Sequence, residues 1–315
     1  MPKILVTGAN GFVGTQLCYT LQARGLEFAG AVRKKTSPSQ YQTGDLNAAT
    51  DWSQALSACD TVIHLAARVH VMKDNAVDPL HAYRAVNVDA TMNLARQAVA
   101  HGIRRFVFVS SVKVNGEGTT DRPFSGADVP APADPYGQSK LEAETALLAL
   151  SRQSGLELVI VRPPLVYGPG VRANFLRLMQ LVKLRMPLPF RNIHNRRSMV
   201  ALDNLVDFLI LCVSHPQAAD QVFMISDDDD LSLPRLVTLM GQAMGKDVML
   251  LPVPMPLLNF CARVVGKPDI ASRLLGSLQV DIAPARERLG WLPVTSTETA
   301  VQATVAHYLA RAGAA

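Results

Sequence analysis

The sequence predicts an α/β fold built on a doubly wound parallel sheet. Two observations predict it. Short apolar, β-forming runs alternate with helical patterns through the first half of the chain, and the first run ends in a glycine turn that opens straight into a helix. A third observation concerns the strand ends. Gly8, Ala66, Ser111 and Pro163 each fall just past a predicted strand. Ligands of open parallel sheets bind beyond the carboxyl ends of the strands, so one crevice can collect all four residues.

Residues 3–7 form the first strand, followed by Gly8-Ala-Asn10-Gly11-Phe12-Val13-Gly14. Residues 15–24 read as a helix stopped by Gly25. Glycines allow a tight turn and let backbone N–H groups approach a pyrophosphate at the positive helix N-terminus. The spacing is Gly-x-x-Gly-x-x-Gly, not the Gly-x-Gly-x-x-Gly of the standard fingerprint, and an ordinary strand-to-helix turn can look the same. Residues 27–32 are the second strand, and residues 60–65 are a buried strand opening into Ala66 and Ala67. An amphipathic helix over 79–101 precedes a buried strand at 106–111. A helix over 134–154 and a strand over 156–161 follow. Residues 198–225 have a strand-helix-strand pattern that returns to the sheet. The sheet domain is therefore expected over 1–168 plus 198–225, with a smaller part from 169–197 and 226–315.

Composition narrows the class. With 49% apolar and 18% charged residues in 315, the chain reads as compact and folded. No signal peptide precedes the first strand. The most apolar stretch, 248–265, is broken by Pro252, Pro254 and Pro256, which argues against a membrane span. Cys18, Cys59, Cys212 and Cys261 are scattered, which suits a reducing cytoplasm and offers no metal site. The net charge of +5 is interspersed, so nucleic-acid binding is not implied. A local basic cluster, Arg191-Asn-Ile-His194-Asn-Arg196-Arg197, suits a diphosphate. The run Asp227 to Asp230 lacks the glycine and distal glutamate of a calcium loop, and precedes a helix capped near Ser232.

Tyr136 and Lys140 stand at i, i+4 in Asp134-Pro-Tyr136-Gly-Gln-Ser-Lys140, one turn apart on one helix face. An ammonium beside a phenol favours phenolate, which makes tyrosine a usable general acid or base near neutral pH. Alone, the pair is far more often a solvated helix face.

Thr7-Gly8-x-x-Gly11-Phe-Val-Gly14, Asp45-Leu46, His64-Leu-Ala-Ala67, Asn87-Val88, Ser110-Ser111, Tyr136-x-x-x-Lys140 and Arg162-Pro-Pro-x-Val-Tyr-Gly-Pro169 occur together and in order. In these elements the chain resembles the extended short-chain dehydrogenase/reductases, and more narrowly their nucleotide-sugar epimerase, dehydratase and reductase branch. The resemblance covers nearly the whole chain. It implies a Rossmann-type sheet with a smaller C-terminal substrate-binding domain. It implies that Tyr136 exchanges a proton with a sugar hydroxyl or ketone, that Lys140 bonds the nicotinamide ribose and holds down the phenol's pKa, and that Ser111 hydrogen-bonds the same sugar oxygen. Gly8, Asn10, Gly11, Phe12, Val13 and Gly14 are then the pyrophosphate loop, and Asp45 and Leu46 touch the adenine. Leu65, Ala66, Ala67, Val109, Pro163 and Val166 line the cofactor, and Asn87 braces the active-site backbone. Arg68, Asn174, Phe175, Arg197 and Arg273 are the implied substrate contacts. A homodimer through the helices at 79–101 and 134–154 is implied too.

One departure bears on the cofactor. Relatives selective for NAD carry an acidic residue at the end of the second strand. Here the strand runs into Arg33-Lys34-Lys35, and Arg33 lies 19 residues past the third glycine. An arginine there suits a 2′-phosphate, so NADP(H) is expected, with NAD(H) as the alternative. A released NADPH suits reduction, whereas a 4-epimerase retains an oxidised cofactor. The stretch Ser111-Val-Lys-Val-Asn115 has none of the carboxylates that the family's dehydratases need. Related chains with Asn-Arg-Arg-Ser-Met-Val and Ser277-Leu-Gln-Val-Asp281 elements belong among surface-polysaccharide enzymes. The expectation is thus reduction of a UDP-4-keto-6-deoxy-N-acetylhexosamine, with UDP-glucose or UDP-N-acetylglucosamine 4-epimerisation as the alternative and a non-catalytic dinucleotide sensor ranked below both.

Overall fold

The computed structural model describes residues 3–37, 40–69, 78–258 and 274–313. Seven strands form one sheet: β1 (Ile4–Thr7), β2 (Phe28–Val32), β3 (Gln40–Gln42), β4 (Thr61–His64), β5 (Arg105–Val109), β6 (Glu157–Arg162) and β9 (Gln221–Met224). Their order is β3-β2-β1-β4-β5-β6-β9, and every neighbouring pair is parallel. The order reverses at β1, between β2 and β4, which is the switch point where doubly wound sheets place a ligand crevice. β7 (Leu165–Tyr167) and β8 (Met199–Ala201) pair with each other in a separate two-stranded sheet.

Alternation along the strands builds a core on each face. Ile4, Val6, Val107, Val159 and Val161 pack with Leu17 and Leu21 of α1 (Phe12–Ala23) and with α7 (Leu202–Ser214). Leu5, Phe106, Phe108, Leu158 and Ile160 face the other way, onto Leu94 of α4 (Thr91–Ala100) and Leu147 of α5 (Pro135–Ser154). A third cluster joins α6 (Ala173–Lys183), α8 (Leu233–Ala243) and the helix Thr297–Gly313 around Tyr167 and Phe175.

Local sequence explains the key boundaries. Asp134 caps α5, accepting from Gly137 N at 2.7 Å, Pro135 opens the helix, and Gly155 ends it in the left-handed region at φ 74°. Ser232 caps α8, accepting from Arg235 N at 3.3 Å. Three expectations need correction. The first helix begins at Phe12 rather than residue 15, because the glycine turn closes directly into it. The helix expected over 79–101 is three segments, α3 (Pro79–Arg84), a π-helical stretch Ala85–Ala90, and α4. Of the strand-helix-strand pattern at 198–225, only β9 enters the main sheet, since β8 pairs with β7. Arg273 and Cys261 lie outside the described residues. Among the described residues no helix is long and apolar enough to cross a membrane, and no His, Cys, Asp or Glu cluster could hold a metal.

Candidate active site

The glycine loop joins β1 to α1, and its closeness depends on Gly14. A Cβ on Gly14 would lie 2.1 Å from the carbonyl oxygen of Gly8, so any side chain would push the helix off the loop. The N-cap of α1 is Gly11. No side chain caps it and no acidic residue sits in its first turn. That leaves a positive helix end open to an anion. Asn10 and Gly11 are exposed, while Phe12 and Val13 are half-buried and pack onto the core. Across from them, Leu65 N and Ala66 N donate to Thr7 Oγ1 at 3.1 and 3.2 Å, which holds the β4 exit against β1. Ala66 and Ala67 are small and half-buried. The uncapped helix end, the glycine turn and the two alanines fit a dinucleotide pyrophosphate.

The chemistry-bearing side chains meet at the ends of β5 and β6. Ser111 starts a 3₁₀ turn, and its hydroxyl accepts from Lys113 N at 3.3 Å. Its hydroxyl also acts on the phenol of Tyr136, favouring the ionised form. Tyr136 is half-buried. Its ring meets Tyr83 edge-on, centroids 6.0 Å apart. Lys140 is buried; its Nζ donates to the Val109 carbonyl at 2.8 Å and lies 4.4 Å from the Phe108 ring centroid.

Burial pushes the Tyr136 phenol well above its usual pKa, Asp134 and Tyr83 push the same way, and Ser111 opposes them. Lys140 is not among the groups acting on the phenol here, and its ammonium donates to the Val109 carbonyl. Burial pulls the Lys140 ammonium from 10.5 to about 8, with Glu144 opposing. Both groups therefore favour their neutral forms more than free side chains do.

Several supporting residues have no signal in the Tyr-x-x-x-Lys motif. Asn87, on the π-helical stretch, accepts from Arg68 N at 2.8 Å and donates to Arg68 O at 3.0 Å and to Ser139 Oγ at 2.9 Å. Ser139 donates in turn to Tyr136 O at 2.8 Å, so one asparagine ties the β4 exit to the helix carrying Tyr136. Below Lys140, Glu144 and Arg162 form a buried pair with contacts of 2.5 to 3.2 Å, and Arg162 also donates to Asn115 Oδ1 at 2.9 Å. Ser110 is buried, and its hydroxyl finds no partner among the described residues.

The remaining expected contacts are more dispersed. Arg33 and Asp45 are both exposed and pair with each other, Nε to Oδ1 at 3.0 Å. Leu46 and Val166 are half-buried against the core. Pro163 is buried, and its carbonyl accepts from Val112 N at 3.0 Å. The Arg68 guanidinium lies 5.5 Å from the Tyr83 ring centroid. Asn174 is half-buried at the start of α6. Phe175 is in the core instead of on a binding surface, stacked on Tyr167 at 5.2 Å because α6 turns that face inward. Arg197 is half-buried and donates to Gly276 O at 3.0 Å; burial lowers its pKa and Glu117 opposes this.

Residues 4–226 match the NAD dependent epimerase/dehydratase family. The chain belongs to that family. It is thus an enzyme of the extended short-chain dehydrogenase/reductase type. It is similar to a Vibrio cholerae UDP-glucose 4-epimerase, 46% identical over 98% of this chain and 96% of that one. It is also similar to the Escherichia coli O157:H7 N-acetyl-alpha-D-glucosaminyl-diphospho-ditrans,octacis-undecaprenol 4-epimerase, at 30% identity over 84% and 80%. Among solved structures, the UDP-glucuronic acid 4-epimerase of Bacillus cereus in complex with NAD superposes with a TM-score of 0.79 at 22% identity, over 98% of this chain and 99% of that one. That likeness supports the fold. The NADP(H) preference read from Arg33 gains no support from the structure, where the Arg33 guanidinium is paired with Asp45.

Proposed function

We propose that this enzyme is a 4-epimerase of a UDP-hexose, UDP-glucose or UDP-N-acetylglucosamine, working with a retained NAD. The observation that carries the reading is the 46% identity to a UDP-glucose 4-epimerase along essentially its full length. The site is compatible with it. Bound NAD would supply a two-electron acceptor for the hydride of the sugar's C4. Tyr136 takes the proton from the C4 hydroxyl and returns it when the alcohol re-forms. Ser111, whose hydroxyl favours the ionised form of the same phenol, is the proposed donor to that oxygen. Lys140, one turn along α5, supplies the nearby ammonium that a bound ribose can draw away from Val109. The loop over Gly8–Gly14 and the alanines at 66–67 hold the cofactor, and Arg197 is the proposed diphosphate contact.

The test is to release bound nucleotide from the purified protein, identify it by chromatography, and incubate the protein with UDP-glucose and no added cofactor. Bound NAD and a mixture of gluco and galacto forms support the reading. An empty protein that leaves both epimers untouched defeats it. A second reading stays in view because of Arg33, which stands where an acidic residue would grip a ribose 2′-hydroxyl. It is NADPH-dependent reduction of a UDP-4-keto-6-deoxy-N-acetylhexosamine. NADPH consumption with that ketone, and no epimerisation, would favour it.

A further inference from the structure

We propose that Lys113 is a positioning residue for Tyr136: its ammonium neutralises Asp134, so the helix keeps its carboxylate cap while the phenol two residues on does not face a bare negative charge. The inference rests on the reading above only in that Tyr136 carries the proton, and both the epimerase and the reductase require that.

The geometry is local and closed. Lys113 lies two residues past Ser111, in the 3₁₀ turn Val112–Val114. Its Nζ donates to Asp134 Oδ2 and, at 2.7 Å, to Glu117 Oε1. Asp134 uses its other oxygen, Oδ1, as the N-cap of α5. The turn and the helix are pressed together at Gly137, where a Cβ would lie 2.7 Å from the Lys113 carbonyl oxygen. Lys113 is thereby fixed at both its backbone and its ammonium, beside the first turn of the helix that carries Tyr136.

The cap has two opposed effects. An aspartate at a helix N-terminus is favourable, because it satisfies an orphan N–H and answers the helix dipole. The same negative charge disfavours ionisation of a nearby phenol. Asp134 is the largest electrostatic contribution against Tyr136 ionisation after burial. The other groups acting on the phenol are Ser111 from the β5 exit and Tyr83 from α3, with the Arg68 guanidinium over the Tyr83 ring; the Lys140 ammonium, one turn along α5, donates to the Val109 carbonyl. Among the described residues, Lys113 is the cation bonded directly to the Asp134 carboxylate. Glu117 also pairs with the Lys113 ammonium, at 2.7 Å, and its charge acts on Arg197.

The test compares the pH profiles of kcat for wild type, Lys113→Met, Lys113→Arg, Asp134→Asn and the double variant Lys113→Met/Asp134→Asn. Asparagine keeps the cap and removes the charge. Lys113→Met is expected to move the rising limb upward by about one pH unit. Asp134→Asn moves it downward, Lys113→Arg leaves it in place, and the double variant returns it to the wild-type position. A uniform fall in rate with an unmoved limb, or a double variant that stays displaced, overturns the proposal. Circular dichroism melting confirms that each variant is folded. Independently of turnover, a ¹³Cζ-tyrosine NMR titration, with the Tyr136 signal assigned by its loss in Tyr136→Phe, should begin to shift at lower pH in Asp134→Asn than in Lys113→Met. Identical titrations would also overturn it. Full activity in Tyr136→Phe is a different result and removes the proton-carrier reading itself.

Discussion

Thr7 Oγ1 and His64 Nδ1 meet at 2.7 Å, where β1 and β4 pair, and this contact fixes how the imidazole is protonated. Thr7 Oγ1 already accepts from Leu65 N and Ala66 N, so its own proton goes to Nδ1. Nε2 therefore carries the ring proton and donates to Thr91 Oγ1 at 2.9 Å. A neutral His64 thus connects β1, the exit of β4 and α4 beneath the proposed cofactor loop. The aromatic rings of Phe106 and Phe108 flank it at 5.8 and 6.0 Å.

That network predicts acid sensitivity. Burial, assisted by the Lys140 charge, lowers the His64 pKa from 6.5 to about 3. The folded protein refuses a proton that the unfolded chain binds below pH 6.5. Stability therefore falls as pH drops from about 6.5 toward 3, at up to about 1.4 kcal/mol per unit from this group. His64→Asn removes the titration, so urea unfolding between pH 7 and 5 should show a shallower pH slope than wild type, although the variant starts less stable. Equal slopes would show that His64 does not control the acid limb.

Tyr136→Phe should lower kcat by about 10²- to 10⁴-fold, the usual contribution of a positioned general acid or base. The ring and its edge-on contact with Tyr83 are retained, so thermal stability should change little. A parallel loss of melting temperature and activity would mean the hydroxyl matters for folding instead. Measuring both on one preparation separates the two.

Much of the site was legible because its residues are tied to backbone turns. Gly14, Ser111 and Pro163 follow strands whose apolar runs are unmistakable, and Asp134-Pro135 announces a helix start by capping chemistry. Other features had no local signature. Gln40–Gln42 is polar and becomes a strand only by pairing along β2. Met199–Ala201 looks like any buried strand, and nothing in its sequence says that β7 is its partner. Phe175 had to be placed by a three-dimensional fact, the inward face of α6. Spacing puts Lys140 and Tyr136 on one face, but it is the Val109 carbonyl that decides where the ammonium points.

Asn87→Ala should destabilise the protein by about 3 kcal/mol, because it strips partners from Arg68 N, Arg68 O and Ser139 Oγ in a buried place. Activity should fall further than the stability loss explains, since the same side chain sets the distance between the β4 exit and α5. The checks are urea denaturation and kcat at a temperature where the variant is fully folded. A variant with wild-type stability would show that water replaces all three contacts.

The buried Glu144–Arg162 pair supports Lys140 from below, and breaking it from one side is the severe case. Glu144→Gln leaves the Arg162 guanidinium buried with only the Asn115 oxygen and a neutral amide to face it. The expected cost is about 3–5 kcal/mol. Removing both charges with Glu144→Gln/Arg162→Met should cost less than the sum of the single changes, since no uncompensated ion is left inside. Glu144 also raises the Lys140 pKa, so in Glu144→Gln that lysine should lose its proton at a lower pH than in wild type. Chemical modification of the Lys140 amine as a function of pH reads this directly, and an unmoved profile would show that Glu144 acts on Arg162 alone.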